Sequence, residues 1–178
     1  DEEKKAEDDI RRIHRRNEDL LRRHREITEE IEKRIRELLR EHREITKRLE
    51  RRLRELKKEG SDERVLDKIR KEMEKRLEDS ERKLEKIERE ARKTLEDTKR
   101  ELKKSEEEAK KTIDDVRRKT GDTEELKRIK KRLDESLREV EEDLKRSEKR
   151  LRELLKRVKE DLDRSRKRLK EILDELRR

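Results

Sequence analysis

The sequence has no cysteine, no proline, and no Phe, Tyr or Trp, and only two of its 178 residues are glycine. Without cysteine there is no disulfide framework and no thiolate chemistry. Without proline nothing forces a break inside a helix. Aromatic rings carry much of the contact energy of natural cores and binding sites, so a chain without them is unusual for either. It also cannot stack bases. Long apolar runs are missing too: no stretch approaches the ~18 residues of a membrane span. Asp1-Glu2-Glu3-Lys4-Lys5 lacks the apolar core of a signal peptide. The expectation is a soluble chain without membrane contact or targeting signal, cytoplasmic on recombinant expression.

What the sequence does have is charge. Charged residues make up 66% and hydrophobic ones 24%, against roughly a quarter and a half in ordinary globular proteins. Such a composition by itself suggests disorder; the periodicity described below argues against it. The net charge of +9 raises the question of nucleic acid. Residues 1–60, 61–120 and 121–178 each contain 21 Lys+Arg, with 18, 19 and 17 Asp+Glu, so the basic excess is spread evenly among acids. A nucleic-acid binder concentrates it on one face or arm. No specific nucleic-acid partner is expected. Weak, salt-sensitive adhesion to polyanions is the lesser reading.

Two interruptions divide the chain. At Lys58-Glu59-Gly60-Ser61-Asp62-Glu63, Gly60 suits the left-handed residue that ends a helix. Ser61 suits the next N-cap, with Asp62 and Glu63 favourable at the positive end of the helix dipole. At Lys119-Thr120-Gly121-Asp122-Thr123-Glu124-Glu125, Gly121 is the stop and Asp122 or Thr123 the cap, Asp122 and Glu125 having capping-box spacing. The expected helices are 2–59, 62–119 and 123–177. Links this short make neighbouring helices antiparallel.

Each helix carries an apolar stripe. On the first it runs from Ile10 and Ile13 through Leu20, Leu21, Ile27, Ile31, Ile35, Leu38, Leu39, Ile45, Leu49 and Leu53 to Leu56. On the second it runs from Leu66 to Val116, and on the third from Leu126 to Leu176. The period is eighteen residues: Leu66, Leu84 and Leu102 recur at that spacing, as do Leu126, Leu144 and Leu162. Eighteen residues make five turns at ~3.6 per turn, which imposes no left-handed supercoil, whereas a heptad would. The sequence predicts an all-α fold: a straight antiparallel three-helix bundle forming a single domain over residues 1–178.

The same period places chemistry in the core. His24-Arg25-Glu26-Ile27-Thr28 returns unchanged as His42-Arg43-Glu44-Ile45-Thr46, and both histidines fall at the stripe centre. Ser80, Thr98 and Ser105 lie on the stripe of the second helix, and Ser136, Ser147 and Ser165 on or at the edge of the third. With turns near 60 and 121, position i of the first helix is level with about 121−i on the second and 121+i on the third. His42 is then level with Ser80 and Ser165, His24 with Thr98 and Ser147, and Asn17 with Ser105 and Ser136. Buried polar groups must be hydrogen-bonded, so three cross-bundle layers are expected. Thr28, Thr46 and Thr94 either extend them or bond back to their own helix. Such layers penalise wrong registers and partners. His14 points about 80° off the stripe centre and reads as a boundary or solvated residue.

No enzyme is expected. The buried histidines have no level acid to orient the imidazole, and the chain has no Gly-rich turn and no loop long enough for a pocket. His14, His24 and His42 lie too far apart on one helix to share a metal. No cofactor, metal or obligatory partner is expected, and self-assembly is left open.

The straight repeat, the Gly-Ser-Asp and Gly-Asp-Thr connections, the Glu/Lys/Arg surface and the ring-free Leu/Ile/Val core together resemble a de novo designed helical bundle with buried hydrogen-bond networks. That resemblance implies a structural scaffold, and transfers no active site. An alternative is a pH-responsive building block of an assembly, with His24 and His42 as protonation sensors.

Overall fold

The computed structural model describes residues 2–60 and 62–178, which form three helices: α1 Glu2–Glu59, α2 Glu63–Thr120 and α3 Glu124–Arg177. No strand occurs among the described residues. The helix ends fall within a residue of those expected, because both glycines do what their position requires. Gly60 has φ 79° and Gly121 φ 80°, the left-handed region where a side chain is strained. Each glycine N–H closes the last turn, Gly60 onto the Leu56 carbonyl at 2.9 Å and Gly121 onto that of Arg117 at 2.8 Å.

The start of α2 requires a correction. Ser61, expected as the cap, lies outside the described residues, and the cap is made by Asp62. Its Oδ1 accepts the Val65 N–H at 3.0 Å, which places it one residue before the first helical position. At the start of α3 the choice between Asp122 and Thr123 goes to Thr123, whose hydroxyl accepts the Leu126 N–H at 3.2 Å. Asp122 instead lies 3.7 Å from the Arg117 guanidinium.

The chain divides into two compact units, Asp1–Glu29 with Ala91–Arg150 and Glu30–Glu90 with Leu151–Arg178. Each unit takes a segment from all three helices. In the first, the core joins Ala6, Ile10, Ile13 and Leu20 of α1 to Leu102, Ala109, Ile113 and Val116 of α2 and to Leu126, Ile129, Leu133, Leu137, Val140 and Leu144 of α3. In the second, Leu49 and Leu53 pack with Leu66, Ile69, Met73 and Leu77 and with Leu169 and Leu173. Two stripe expectations shift. Ala6, not counted as apolar core, is buried, and Ile27, which was counted, is 45% exposed. Ile27 sits about 60° from the stripe centre, on the arc's edge, where its side chain meets water.

Ion pairs mark the register inside each unit. In the first, Arg16 pairs with Glu108 and Lys119 with Glu2. In the second, Arg52 pairs with Glu72 and Lys83 with Glu41. The numbers in these α1–α2 pairs sum to between 121 and 124, as an antiparallel pair requires. The α1–α3 pairs Arg43–Asp161, Arg168–Glu50 and Lys57–Glu175 keep a constant difference of 118, as a parallel pair requires.

Burial separates positions that sequence alone treats alike. Leu53→Ala, at a fully buried site, should cost roughly 2–5 kcal/mol. Ile27→Ala should stay within about 0.5 kcal/mol, as exposed substitutions do. Guanidinium unfolding of the two variants checks the difference; equal losses would place Ile27 in the core.

Candidate functional site

Among the described residues, the fold gathers a set of polar side chains in its interior, His24, His42, Asn17 and several Ser and Thr. In the first unit His24 is 3% exposed, and Thr28, Thr98 and Ser147 are buried around it. The hydroxyl proton of Thr98 is given to the backbone carbonyl of Thr94, at 2.8 Å. The Thr98 oxygen, 3.2 Å from Nδ1 of His24, therefore acts as an acceptor, and Nδ1 carries the ring proton. Nε2 is then the acceptor of a neutral imidazole, and Thr28 Oγ1 at 3.4 Å is its donor. Ser147 in turn donates to Thr28 at 3.3 Å. The bonds run in one direction, from Ser147 on α3 through Thr28 and His24 on α1 to Thr98 and the Thr94 carbonyl on α2. The hydroxyl links of 3.3 and 3.4 Å are longer than the usual 2.7–2.8 Å and correspondingly weak.

The second unit repeats the pentapeptide but not the bonding. His42 is also 3% exposed, but its Nε2 is buried without a hydrogen-bond partner. Thr46, the counterpart of Thr28, donates to the His42 backbone carbonyl at 2.8 Å instead. Ser80 is buried, whereas Ser165 is half-buried at the edge of the core. The bond expected from these serines does not reach Nε2. An unmet buried nitrogen costs about 1–3 kcal/mol.

The third expected layer is rearranged. Asn17 is 1% exposed, but neither Oδ1 nor Nδ2 has a partner. Ser105 is buried nearby in the sequence of levels. Ser136, expected opposite Asn17, lies with its Oγ 2.5 Å from Nδ1 of His14. His14 is at the boundary, its side chain 45% exposed, and its Nε2 meets the Glu18 carboxylate at 2.8 Å. Two signals in the sequence point to this group: Glu18 follows His14 by four residues, and Ser136 stands 122 beyond it.

Charge pairs flank both histidine layers at the eighteen-residue spacing. Asp143 is held between Arg25 and Arg146 in the first unit. Asp161 takes Arg43 at 2.9 Å and Arg164 at 3.1 Å in the second. Burial pushes the His24 imidazole below its ordinary pKa of 6.5. Burial does the same to His42, opposed by the Asp161 carboxylate and reinforced by the Arg43 guanidinium. Among the described residues no group of three or more His, Asp or Glu side chains is placed to hold a metal, and no helix is long and apolar enough to cross a membrane.

Two outcomes are expected. Nitrogen-15 spectra at neutral pH should show His24 protonated at Nδ1; a proton on Nε2 would contradict the bond directions. The second concerns stability. Both imidazoles have folded pKa values below 6.5, so below pH 6.5 the unfolded chain takes up protons that the folded chain refuses. The stability that these histidines supply is whole above 6.5, falls as pH drops towards the folded values, and is constant below them. The slope is at most ~1.4 kcal/mol per pH unit for each histidine. Guanidinium unfolding at about pH 7.5 and about pH 5, for the parent and for His24→Asn with His42→Asn, isolates this contribution. Equal acid losses in the two proteins would remove it.

No protein-family model matches the chain, and no curated protein matches it. Among solved structures it is similar to a computationally designed three-helix bundle, with 21% identity and a TM-score of 0.64 over 98% of this chain and 90% of that one. The all-helical fold with buried His, Ser and Thr hydrogen bonds is thus that of a three-helix bundle, and it resembles a designed one.

Proposed function

We propose that the chain is a designed structural scaffold, a single monomeric domain whose buried hydrogen-bonded layers select one packing of the helices. One observation carries this reading: the directed chain Ser147–Thr28–His24–Thr98 draws one side chain or more from each of the three helices. A shift of any helix by one residue would turn a hydroxyl out of line and leave a polar atom buried alone. At the His24 layer that penalty falls on the competing registers, where these bonds are lost. The lack of aromatic side chains and the likeness to a designed bundle support a man-made origin. A dedicated catalytic role has no support in the interior, where His24 meets the hydroxyls of Thr98 and Thr28 and the Nε2 of His42 has no hydrogen-bond partner.

A second reading, the pH-responsive building block, is favoured by the two buried neutral imidazoles. Protonated His24 would present two donors, and Thr28 would have to turn its own proton away from the ring. One chain supplies only two such groups, and an assembly would multiply them. Polyanion binding, the third reading, is weakened by the many acidic partners that the basic side chains already have.

The test of the scaffold reading replaces the layer by apolar groups: His24→Leu, Thr28→Val, Thr98→Val and Ser147→Ala. Thermal resistance should hold or rise, because apolar packing replaces weak polar bonds. Conformational uniqueness should fall, seen as doubled amide resonances or additional species on size exclusion. A single species with one sharp set of resonances would end the claim that the layer selects the packing. For the second reading, light scattering at about pH 7.5 and about pH 4.5 reads the mass across the range where a free His titrates, ~6.5. An unchanged mass argues against a switch.

A further inference from the structure

We infer that Ser136, His14 and Glu18 form a nucleophilic site that transfers the acyl group of activated carboxylic esters. This goes beyond the scaffold reading and does not rest on it.

The three side chains stand in the order that nucleophilic catalysis needs. Ser136 Oγ is 2.5 Å from Nδ1 of His14, and Glu18 Oε1 is 2.8 Å from Nε2 of the same ring. A hydroxyl next to a base, with that base oriented by a third group, is the arrangement that activates a serine. The carboxylate accepts the Nε2 proton, which leaves Nδ1 with its lone pair directed at the serine hydroxyl. His24, by contrast, donates from Nδ1 to Thr98 and has no carboxylate on Nε2. Only His14 has both a nucleophile and an acid.

The group is also open to a substrate. His14, Glu18 and Ser136 line a groove of about 400 Å³ between α1 and α3 of the first unit. Ser136 is 8% exposed and lines this groove. Leu21 and Val140 give the groove an apolar wall suited to a flat aryl group. Arg22 and Arg25 line it as well. Arg22 holds Asp19 and Arg25 holds Asp143, each through one terminal nitrogen. A guanidinium has five N–H donors, so each retains some for an oxygen that gains charge, in a groove that Glu18, Asp19, Glu139 and Asp143 line as well.

The reaction closes without any further reagent. Ser136 Oγ attacks the ester carbonyl carbon, and its proton passes to Nδ1 of His14 as the C–O bond forms. The imidazolium is stabilised by the Glu18 carboxylate. The tetrahedral intermediate expels the aryl oxide, which leaves with the bonding pair, and the proton on Nδ1 passes to it or to solvent water, so the ring is neutral again. Water then attacks the acyl-serine carbonyl carbon and gives a proton to Nδ1; the acyl–Oγ bond breaks, Oγ takes that proton back from the ring, and the carboxylic acid leaves with Ser136 restored. Glu18 and His14 are both accessible to water, with Glu18 63% exposed. Screening makes their partnership weaker than in an enclosed site.

The probe is p-nitrophenyl acetate with the full chain. Acid quench during turnover, tryptic digestion and mass spectrometry should find an acetyl group on Ser136, in the peptide 133–138. Release of nitrophenolate should fall roughly tenfold in Ser136→Ala and in His14→Gln, below the ~10²–10⁴ typical of general-base catalysis in enclosed sites. Glu18→Gln should fall less, and His42→Asn should match the parent. Circular dichroism shows whether each variant retains its helices. The adduct on the parent needs no variant, so a misfolded variant leaves the test standing. Acetyl found only on lysines or on His14, no adduct at all, or an unchanged rate in folded Ser136→Ala would overturn the assignment.

Discussion

A neutral imidazole in a dry core needs one hydrogen-bond acceptor and one donor, in fixed directions on opposite sides of the ring. In a bundle whose core is a few side chains wide, those partners must come from the flanking helices or the next turn. At His24 both sources are used: Thr98 of α2 faces Nδ1, and Thr28, one turn along α1, faces Nε2 and is itself supported by Ser147 of α3. The consequence is a fixed level. Hydrophobic contacts tolerate sliding, because leucine packs against leucine at many offsets. A hydroxyl displaced by one residue is turned by ~100° around its helix and cannot reach the ring. The imidazole thereby makes register a matter of hydrogen-bond satisfaction.

The two copies of the pentapeptide show how little separates a satisfied ring from an unsatisfied one. The residues His-Arg-Glu-Ile-Thr are the same in both. Thr28 gives its proton to the ring, and Thr46 gives its proton to the backbone carbonyl of His42. The difference lies in what faces them. Ser147 is buried and approaches Thr28, whereas Ser165 is half-buried. A threonine in a helix always has the preceding turn's carbonyl as an alternative acceptor. It leaves that carbonyl for the ring only where a neighbouring helix supplies it with a donor. At Thr28 a donor from Ser147 of α3 accompanies the bond to the ring, and Thr46 donates to its own helix.

Most of the fold could be read in the sequence because it is encoded in direction and length. The glycines end helices through their backbone, the stripe gives the buried face at ~100° per residue, and two short links fix the offset near 121. The pairs Arg16–Glu108 and Arg52–Glu72 hold to that offset within three residues. What could not be read is encoded in rotamers. The cap at α2 turned on whether Asp62 or its neighbour accepts the Val65 N–H, and both residue types are good caps. Ile27 lies on the same arc as the buried Ile31 and is exposed because it sits at the edge. Level pairs Ser136 with Asn17, but His14, three residues away on α1 and at nearly the same level, takes its hydroxyl. Level identifies the candidates and side-chain reach selects among them, which is why Asn17 is left with neither polar atom paired.

The contrast between His14 and His24 extends the same reasoning to reactivity. Both rings contact a hydroxyl through Nδ1, at 2.5 and 3.2 Å. The difference is the far side of the ring. A hydroxyl on Nε2 leaves the tautomer to be settled by the neighbouring hydroxyls, and at His24 the Thr98 proton is already committed to a carbonyl, so Nδ1 donates. A carboxylate on Nε2 can only accept, so at His14 the ring proton is drawn to that side and Nδ1 is left as the base. Carboxylates tolerate the boundary and not the interior, because an ionised acid is costly to bury. In this fold the histidine whose Nε2 meets a carboxylate is the one that stands at the water boundary. Of the three imidazoles, His14 at the groove is the one that stands between a serine hydroxyl and a carboxylate.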